Sequence, residues 1–527
     1  MTEIKNKYGD ERRTKIDMTA VDYSKFPDST PSRFAVVYVL RGSDFKKETT
    51  VKAFVSDETL SVDTVSDIFP SANWAEREAY DQYGVIFLNH PNLKRVLNHK
   101  QFIGHPLRKD YKITQGQICT ETEDLMDEML PLLKSKGYTD EEIADLMLLN
   151  VGPSHPASHG TIRNFVALEG ETIATCVTEI GDLHRGFEKD CEHHTYSQVI
   201  PYTDRLNYCS AILNNIGWAK AIEDMMKIEI TPRAKMIRVV IGELSRIIDH
   251  FVCNAANMVD LGGLTSLWYL VGARDQAYDM LSKLTGARLT NTYTRIGGLE
   301  FDLYDGFDKD LEEVLKTSEK AIEDVLSLIA HNKLFHDRTQ DVGVIKADFA
   351  LDYGITGPNL RAAGVAHDLS KDKPYYGYEN FDFDMVIGSH GDVYDRMMCR
   401  FEESIQSIKI IRQAMKNMPD GAINVYAPNL VVPNKKDVYG NIEGLMNQFK
   451  LTFEGIKVPK GEYYSSTEGG NGELGFFIVS DGSGRPYKVK CRPPCFYALG
   501  AYAKIVEGGM LADAVVTMAS LNFIAGE

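Results

Sequence analysis

The stretch from Lys235 to Leu261 reads KMIRVVIGELSRIIDHFVCNAANMVDL, and it determines the architecture of the larger part of this 527-residue chain. Apolar residues occur on nearly every face of the helix that this stretch predicts. Such a helix must be covered on all sides, so we expect it inside a helical bundle. Two further helices, each polar on one face, are predicted at Leu311–His331 and Tyr394–Met415.

The same helix carries polar residues that need partners. Glu243, Arg246 and His250 are spaced three and four residues apart and therefore share one helix face. Asp260 ends the apolar run and precedes two glycines. Because an unpaired buried carboxylate is costly, Asp260 is expected to have a partner, and one candidate is a loop histidine upstream. An Asp–His pair would raise the proton affinity of the imidazole and fix its tautomer.

That upstream loop, GPSHPASHG at residues 152–160, contains His155 and His159 between glycines and prolines. Its composition favours a tight turn that projects His159 into a cavity, where an imidazole can donate a proton to a carbonyl that is being reduced. Two alternatives stay open. His159 could instead hold the loop together through a structural hydrogen bond. Zinc ligation is less favoured, because no third donor lies nearby in the sequence.

Two more polar segments are candidates for a binding site: LHRGFEK at residues 183–189 and YTDRLNY at residues 202–208. Arg185 stands beside a glycine and could approach a buried anion closely. A tyrosine hydroxyl such as that of Tyr208 can donate a hydrogen bond to a quinone-like oxygen. The alternative interpretation is that these residues form ordinary salt bridges and turns.

The rest of the chain predicts an α+β protein in three parts. Residues 1–112 combine a strand, Phe34–Leu40, with a short helix, Trp74–Tyr83, as in a small α/β domain. Residues 113–150 form an acidic linker with two short amphipathic helices on either side of Lys136-Gly137. Residues 151–527 form the larger domain, in which β-structure lies at the periphery of the bundle. Its other predicted elements are the strands Ile162–Leu168 and Thr172–Glu179, strands on either side of the turn DGSGRP (residues 481–486) within Leu474–Val489, and a last helix, Phe496–Ala519.

Composition excludes several classes of function. The formal charge of −17 argues against nucleic acid as the main partner, because phosphate binding needs a surplus of Lys and Arg. No apolar run approaches the roughly 20 residues of a membrane-spanning helix, and the start of the sequence has no apolar segment typical of a secretory signal. Of the eight cysteines, only Cys491 and Cys495 are close in sequence, so an ordinary four-thiolate centre is not predicted.

Taken together, ordered motifs of this chain resemble two subunits of respiratory complex I (NADH–quinone oxidoreductase) joined in one polypeptide. ANWAEREAYDQYGVIFLNHPNLKRVL and GHPLRKDY are similar to the C, or 30-kDa, subunit. Nine further motifs are similar to the D, or 49-kDa, subunit: GPSHPASHGTIR, IGDLHRGFEK, PYTDRLNY, RVVIGELSRIIDH, DLGGLTS, GITGPNLRAAG, GSHGDVYDR, SDGSGRPYKVK and MLADAVV. The D subunit is related to the large subunit of nickel–iron hydrogenases, so the resemblance implies a hydrogenase-large-subunit-like fold for the larger domain.

The resemblance also implies roles for individual residues. His159 matches the residue that hydrogen-bonds the quinone head group, Tyr208 matches the second quinone-binding residue, and Asp260 matches the acidic partner of that histidine. Arg185 matches an arginine beside the terminal [4Fe–4S] cluster, which a neighbouring subunit holds. The chain would then bind no cofactor itself and would be inactive alone. Its expected partners are the B, I and H subunits, on the cytoplasmic side of the cell membrane, in a complex that pumps ions.

One departure from the family bears on the quinone. Where many relatives have a histidine, this chain has Thr290, so the cluster potential should depend less on pH and be lower, which favours a low-potential quinone such as menaquinone.

There are two competing functions. A nickel–iron hydrogenase large subunit is disfavoured, because paired cysteines are missing near Arg205 and near the C-terminal end of the sequence. A structural scaffold with an inactive HPASHG loop is the other.

Overall fold

The computed structural model describes residues 14–42, 44–122, 124–158 and 160–526, and it shows a mixed α+β fold, as the sequence predicts. The strands are β1 Thr14–Asp22, β2 Phe34–Arg41, β3 Glu48–Val55, β4 Ser61–Asp63, β5 Ile86–Leu88, β6 Met147–Val151, β7 Arg163–Glu169, β8 Thr172–Glu179, β9 Thr294–Arg295, β10 Gly298–Leu299, β11 Gly461–Glu468, β12 Glu473–Ser480 and β13 Lys488–Arg492.

The helices follow the same chain order. They are α1 Ala72–Tyr83, α2 Met126–Ser135, α3 Asp140–Asp145, α4 Phe187–His193, α5 Tyr196–Thr203, α6 Ala211–Met226, α7 Pro232–Asp260, α8 Leu264–Thr285, α9 Phe307–Ile329, α10 Lys333–Thr339, α11 Ala347–Asp352, α12 Pro358–Ala362, α13 Leu369–Asp372, α14 Val393–Lys416, α15 Lys435–Gly440, α16 Ile442–Phe453, α17 Pro494–Val506 and α18 Leu511–Ser520.

An antiparallel sheet in the order β1-β2-β3 organises the N-terminal part. Every residue of β2 is buried, because α1 covers one face of the sheet and residues of β11–β13 and their turn, such as Phe477 and Tyr487, cover the other. Burial on both faces explains why the strand reads as a continuous apolar run instead of an alternating one. The predicted helix is confirmed as α1, which ends at Gly84 with φ +74°.

The acidic stretch forms two short helices, as predicted. A capping box at Thr139 and Glu142 starts α3. The apolar faces of α2 and α3 do not point into solvent: Met129, Leu133 and Ile143 pack against Phe165 and other residues of β7 and β8. Strand β6 follows directly and pairs with β7 in the antiparallel sheet β6-β7-β8.

The central helix is confirmed as α7, which runs for 29 residues and is buried along most of its length. It begins at the N-cap Thr231, whose side chain accepts from the amide of Ala234, with Pro232 in the first turn. Around it pack α8, α14, α6 and α18, while α9 packs on α8 and α14. The two predicted helices with one polar face are α9 and α14; α6 and α8 were not predicted.

The predicted last helix, Phe496–Ala519, is wrong in one respect: it is two helices, α17 and α18. The chain breaks at Gly508, which has φ +80°, a conformation that glycine adopts without strain. Both glycines of the break bond the backbone of Ile173 in β8: the amide of Gly508 donates to Ile173 at 2.9 Å, and the amide of Ile173 donates to Gly509 at 2.9 Å. Pairing with the sheet therefore replaces one helical turn.

Buried ion pairs join the N-terminal sheet and α1 to the rest of the fold. Arg41 of β2 contacts Glu473 of β12 at 2.6 Å, and Lys490 of β13 contacts Glu78 of α1 at 2.6 Å. All four side chains are almost fully covered. Among the described helices, none combines the length and the apolar character needed to cross a membrane.

Candidate functional site

Tyr208 begins a single 3-10 turn, Tyr208–Ser210, between α5 and α6. Asn207 caps the turn by accepting from the amide of Cys209 at 3.2 Å. The phenol is half-buried against an apolar cluster that includes Ala157 of the histidine loop and Cys495 and Ile524 from the C-terminal part of the chain. Burial, followed by the charges of Cys209, Asp249 and Cys495, raises the pKa of Tyr208 to about 12. The phenol therefore stays protonated near neutral pH and can donate a hydrogen bond.

The histidine loop is tightly built. Gly152 has φ +89°, and a Cβ there would lie 2.3 Å from the carbonyl oxygen of Ile162, so only glycine fits. The hydroxyl of Ser158 donates to the carbonyl of His155 at 2.7 Å, and the amide of Ala157 donates to His155 Nδ1 at 3.2 Å. A neutral His155 therefore carries its proton on Nε2. His159 lies outside the described residues.

Asp260 is the last residue of α7 and is half-buried. Burial raises the pKa of its carboxyl group, and the charge of His155 opposes that rise. The structure thus brings the end of the central helix close to the histidine loop, as the sequence suggested. The pairing of Asp260 with His159 stays a prediction.

Arg185 lines a cavity of about 760 Å³. Its walls come from distant parts of the chain: α1, the loop before α4, the residues around Arg205, β13 with the start of α17, and the C-terminal segment Phe523–Gly526. Arg185 is exposed, and its side chain borders this space. Among the described residues, neither Tyr208 nor Asp260 lines the cavity, although Cys495, which influences the pKa of Tyr208, does.

One wall of the cavity is a buried cluster of charges. Lys490 lies 2.6 Å from Glu78 and 3.6 Å from Glu188, and Lys488 forms a further ion pair with Glu188. Burial pushes the pKa of Lys490 down, but the two carboxylates outweigh it and raise that pKa well above its usual range. The charges on this wall are therefore paired with one another.

The polar face of α7 is buried inside the bundle. Arg246 contacts Glu243 at 3.2 Å, as their spacing predicts, whereas Nε2 of His250 donates to the carboxylate of Glu403 of α14 at 3.0 Å. Within the part of the chain that the structure describes, no group of three or more His, Cys, Asp or Glu side chains is arranged to hold a metal ion.

Comparisons with known proteins agree with these motifs. Residues 260–527 match the family model described as respiratory-chain NADH dehydrogenase, 49 Kd subunit, and residues 1–117 match the 30 Kd subunit. A C/D subunit of NADH-quinone oxidoreductase from Bdellovibrio bacteriovorus is 48% identical over 513 residues, which cover 97% of this chain and 90% of that protein. The chain belongs to the family of fused C/D subunits of NADH-quinone oxidoreductase.

The larger part of the chain also resembles D subunits that are separate proteins. The D subunit of NADH-quinone oxidoreductase from Myxococcus xanthus is 49% identical over 381 residues, 72% of this chain and 92% of that protein. The predicted family and enzyme class are therefore confirmed: the chain is part of an NADH–quinone oxidoreductase complex. This assignment decides against the alternative of a nickel–iron hydrogenase large subunit.

Sequence reasoning missed three polar residues that hold the Tyr208 turn. Asp249, Ser210 and Asn522 are buried and bonded to one another or to Asn207. Nothing in the local pattern pointed to them, because their partners are 39 or more residues away in sequence. The separation of Asp249 and Tyr208 in the sequence corresponds to no helical or strand repeat.

Proposed function

We propose that the chain forms the quinone head-group site of its complex, with Tyr208 and His159 as hydrogen-bond donors to the two quinone oxygens and Asp260 as the acidic partner of the histidine. The observation that carries the proposal is the shared apolar cluster, in which the Tyr208 turn and Ala157 of the histidine loop both take part. Motifs about 50 residues apart in sequence thus reach one region of the fold, beside the end of α7 that carries Asp260.

The chemistry of quinone reduction fits these groups. Electrons arrive one at a time, and negative charge develops on both quinone oxygens. Donors that are already held in place stabilise that charge without reorganisation. Tyr208 is protonated near neutral pH, so it can donate at the start of the reaction, and the imidazole and the phenol are the proposed proton sources.

Arg185 is proposed to lie beside the terminal [4Fe–4S] cluster of the neighbouring B subunit. Its exposed guanidinium on the cavity wall supports this role, because a permanent positive charge near the cluster would favour the more negative, reduced state. The I subunit and the membrane-embedded H subunit are the other proposed partners. The complex would act on the cytoplasmic side of the cell membrane and couple electron transfer to ion pumping.

The quinone is proposed to be of low potential, such as menaquinone, because Thr290 offers no ionisable group to couple cluster reduction to proton uptake. A redox titration of the terminal cluster in the assembled complex tests this. A midpoint potential that changes little with pH is expected. A steep fall of that potential as pH rises would contradict the proposal.

Quinone reduction by the assembled complex tests the site itself. Tyr208→Phe removes one donor and should lower NADH–quinone reductase activity by about 10²-fold. His159→Ala should lower the same activity by at least as much. Oxidation of NADH with an artificial acceptor upstream of the quinone site should be unchanged. Tyr38→Phe is the matched control, because the Tyr38 hydroxyl is buried in β2 with no hydrogen-bond partner among the described residues. Wild-type quinone reduction by Tyr208→Phe and His159→Ala would support a purely structural role for the chain.

A further inference from the structure

Asp249 of α7 is a fully buried carboxylate directly beneath the Tyr208 turn. Its Oδ2 accepts from Asn207 Nδ2 at 2.7 Å and from the hydroxyl of Ser210 at 2.8 Å. Its Oδ1 accepts from Asn522 Nδ2 at 3.1 Å. One carboxylate thus joins the central helix, the turn and the C-terminal segment.

The two donors to Oδ2 bracket Tyr208 and Cys209 on both sides. Asn207 is held at its other polar atoms as well, since it accepts from the amide of Cys209 and from Asn214 Nδ2 at 2.9 Å. A rotation of the phenol-bearing turn would break both bonds to Asp249 together. The orientation of Tyr208 therefore depends on this carboxylate.

Gly470 approaches Asp249 closely on one side. A Cβ at Gly470 would lie 2.0 Å from Asp249 Oδ2, so backbone without a side chain closes that side. Within the described residues, no Lys, Arg or His nitrogen comes within ion-pair distance of the carboxylate, and its three hydrogen-bond donors from side chains are neutral. Its negative charge consequently acts on nearby groups, and it is one of the charges that raise the pKa of Tyr208.

We propose that Asp249 is a positioning residue for quinone reduction, which aims the Tyr208 phenol and couples its turn, through Asn522, to the segment Phe523–Gly526 on the cavity wall. This inference rests on the proposed function of Tyr208. Asp249 touches no substrate; it acts through the turn. The same carboxylate would transmit any movement of the C-terminal segment to the phenol, because both are bonded to it.

Asp249→Asn is the informative change, since the amide keeps the shape but replaces one acceptor oxygen by a donor. Whichever way the amide turns, Asn522 on one side or Asn207 on the other is left facing a second donor. Ser210→Ala is a milder change, which removes one bond to Oδ2 and keeps the charge. Ser404→Ala is the matched control, because it removes a fully buried hydroxyl that donates to the backbone of Arg400 at 2.8 Å, away from the turn.

The experiment is a double-mutant cycle in the assembled complex, with steady-state NADH–quinone reductase as the readout. Asp249→Asn should lower kcat/KM for quinone by about tenfold, the equivalent of one hydrogen bond to a charged group, and Ser210→Ala should lower it less. Ser404→Ala should change nothing. In the Tyr208→Phe background, Asp249→Asn should have little further effect, because its role is exerted through the phenol.

The outcomes separate the two proposals. Full activity of Tyr208→Phe would refute the proposed function. A lowered kcat/KM of Tyr208→Phe together with a wild-type kcat/KM of Asp249→Asn would overturn only the positioning role. The same conclusion would follow if the effects of Asp249→Asn and Tyr208→Phe on kcat/KM were fully additive. If Asp249→Asn does not assemble, Ser210→Ala decides: a kcat/KM equal to that of Ser404→Ala overturns the inference.

Discussion

Asp204, four residues before Tyr208, makes the stability of the protein depend on pH in a way that can be measured. Its carboxylate is fully buried and accepts from Asn215 Nδ2 at 2.7 Å and from the hydroxyl of Thr292. Burial raises the pKa of Asp204 to about 7, and the hydrogen bonds from Thr292 and Asn215 only partly oppose the rise. In the unfolded chain the same group has a pKa of about 3.9.

The sign follows from proton binding. Between about pH 4 and pH 7 the folded protein holds a proton on Asp204 that the unfolded chain has lost, so stability falls as pH rises through this window and then levels off. A difference of about three pKa units corresponds to about 4 kcal/mol. With an unfolding entropy of about 1.1 kcal/mol/K for a chain of this length, the loss is about 4 °C in Tm.

Asp204→Asn should remove this dependence and keep both contacts. The amide oxygen can accept from Asn215, and the amide nitrogen can donate to Thr292, whose hydroxyl can turn to accept. Thermal unfolding of the full chain at pH 5 and pH 8 measures the effect as Tm of the variant minus Tm of the wild type, since all other ionisable groups are common to both. About two of the three pKa units lie above pH 5, so that difference should increase by about 2.5 °C from pH 5 to pH 8 in favour of the variant.

Asp305→Asn, at an exposed loop position, is the control and should give the same difference at both pH values. An Asp204→Asn difference that does not change between pH 5 and pH 8 would refute the reasoning. So would a variant that is less stable than the wild type at pH 8, because it would mean that the ionised carboxylate is favourable where it lies.

Two further variants test the buried interior, each by the denaturant midpoint of the full chain. Glu403→Gln should destabilise the protein by about 3 kcal/mol, because Arg361 at 2.8 Å and His250 at 3.0 Å lose a buried partner charge. The control is Glu402→Gln at the neighbouring exposed position, whose midpoint should stay near that of the wild type. Equal midpoints for the two variants would contradict this reasoning. Gly470→Ala should cost about 1–3 kcal/mol, since its Cβ would lie 2.0 Å from Asp249 Oδ2. Gly272→Ala, in α8 with no atom within 4 Å of the added carbon, should be neutral or slightly stabilising, and a similar loss in both glycine variants would argue against a steric cause.

The elements that the sequence predicted are those with one simple pattern of burial. Helix α7 has apolar residues on nearly every face and α9 has one polar face, and both patterns match what the fold does with them. Helices α6 and α8 break the pattern for opposite reasons. Helix α6 buries polar residues such as Asn214 and Asn215, which have partners, whereas α8 exposes large apolar residues, including Trp268 at 65%. Periodicity alone cannot identify a helix whose polar residues point inward or whose apolar residues point outward.

The candidate site shows the same limit. Family motifs indicated Tyr208, Asp260 and Arg185, but no motif indicated that Asp249 supports Tyr208. Asp249 lies next to His250 on α7, about 100° away around the helix, and it was not among the three residues that spacing identified. Its importance comes from contacts with residues 39 to 273 positions away in sequence, and only the folded chain brings these together.

The charges inside the bundle have a consequence for the site. His250 of α7 bonds Glu403 of α14, which bonds Arg361 of α12, which in turn bonds Glu468 of β11 at 2.9 Å. A buried network of this kind adds little to stability compared with apolar residues of the same volume, but breaking it is expensive. We therefore infer that it fixes the position of α7 along its axis, since a shift of α7 by one helical turn would separate His250 from Glu403. Asp249, which is bonded to the Tyr208 turn, is the residue before His250 on α7. The position of the Tyr208 turn relative to the bundle therefore depends on the same contacts. Glu403→Gln should therefore increase hydrogen exchange along α7 and lower quinone reduction. Exchange that increases only in α14 would show that the two helices are not held in register by this residue.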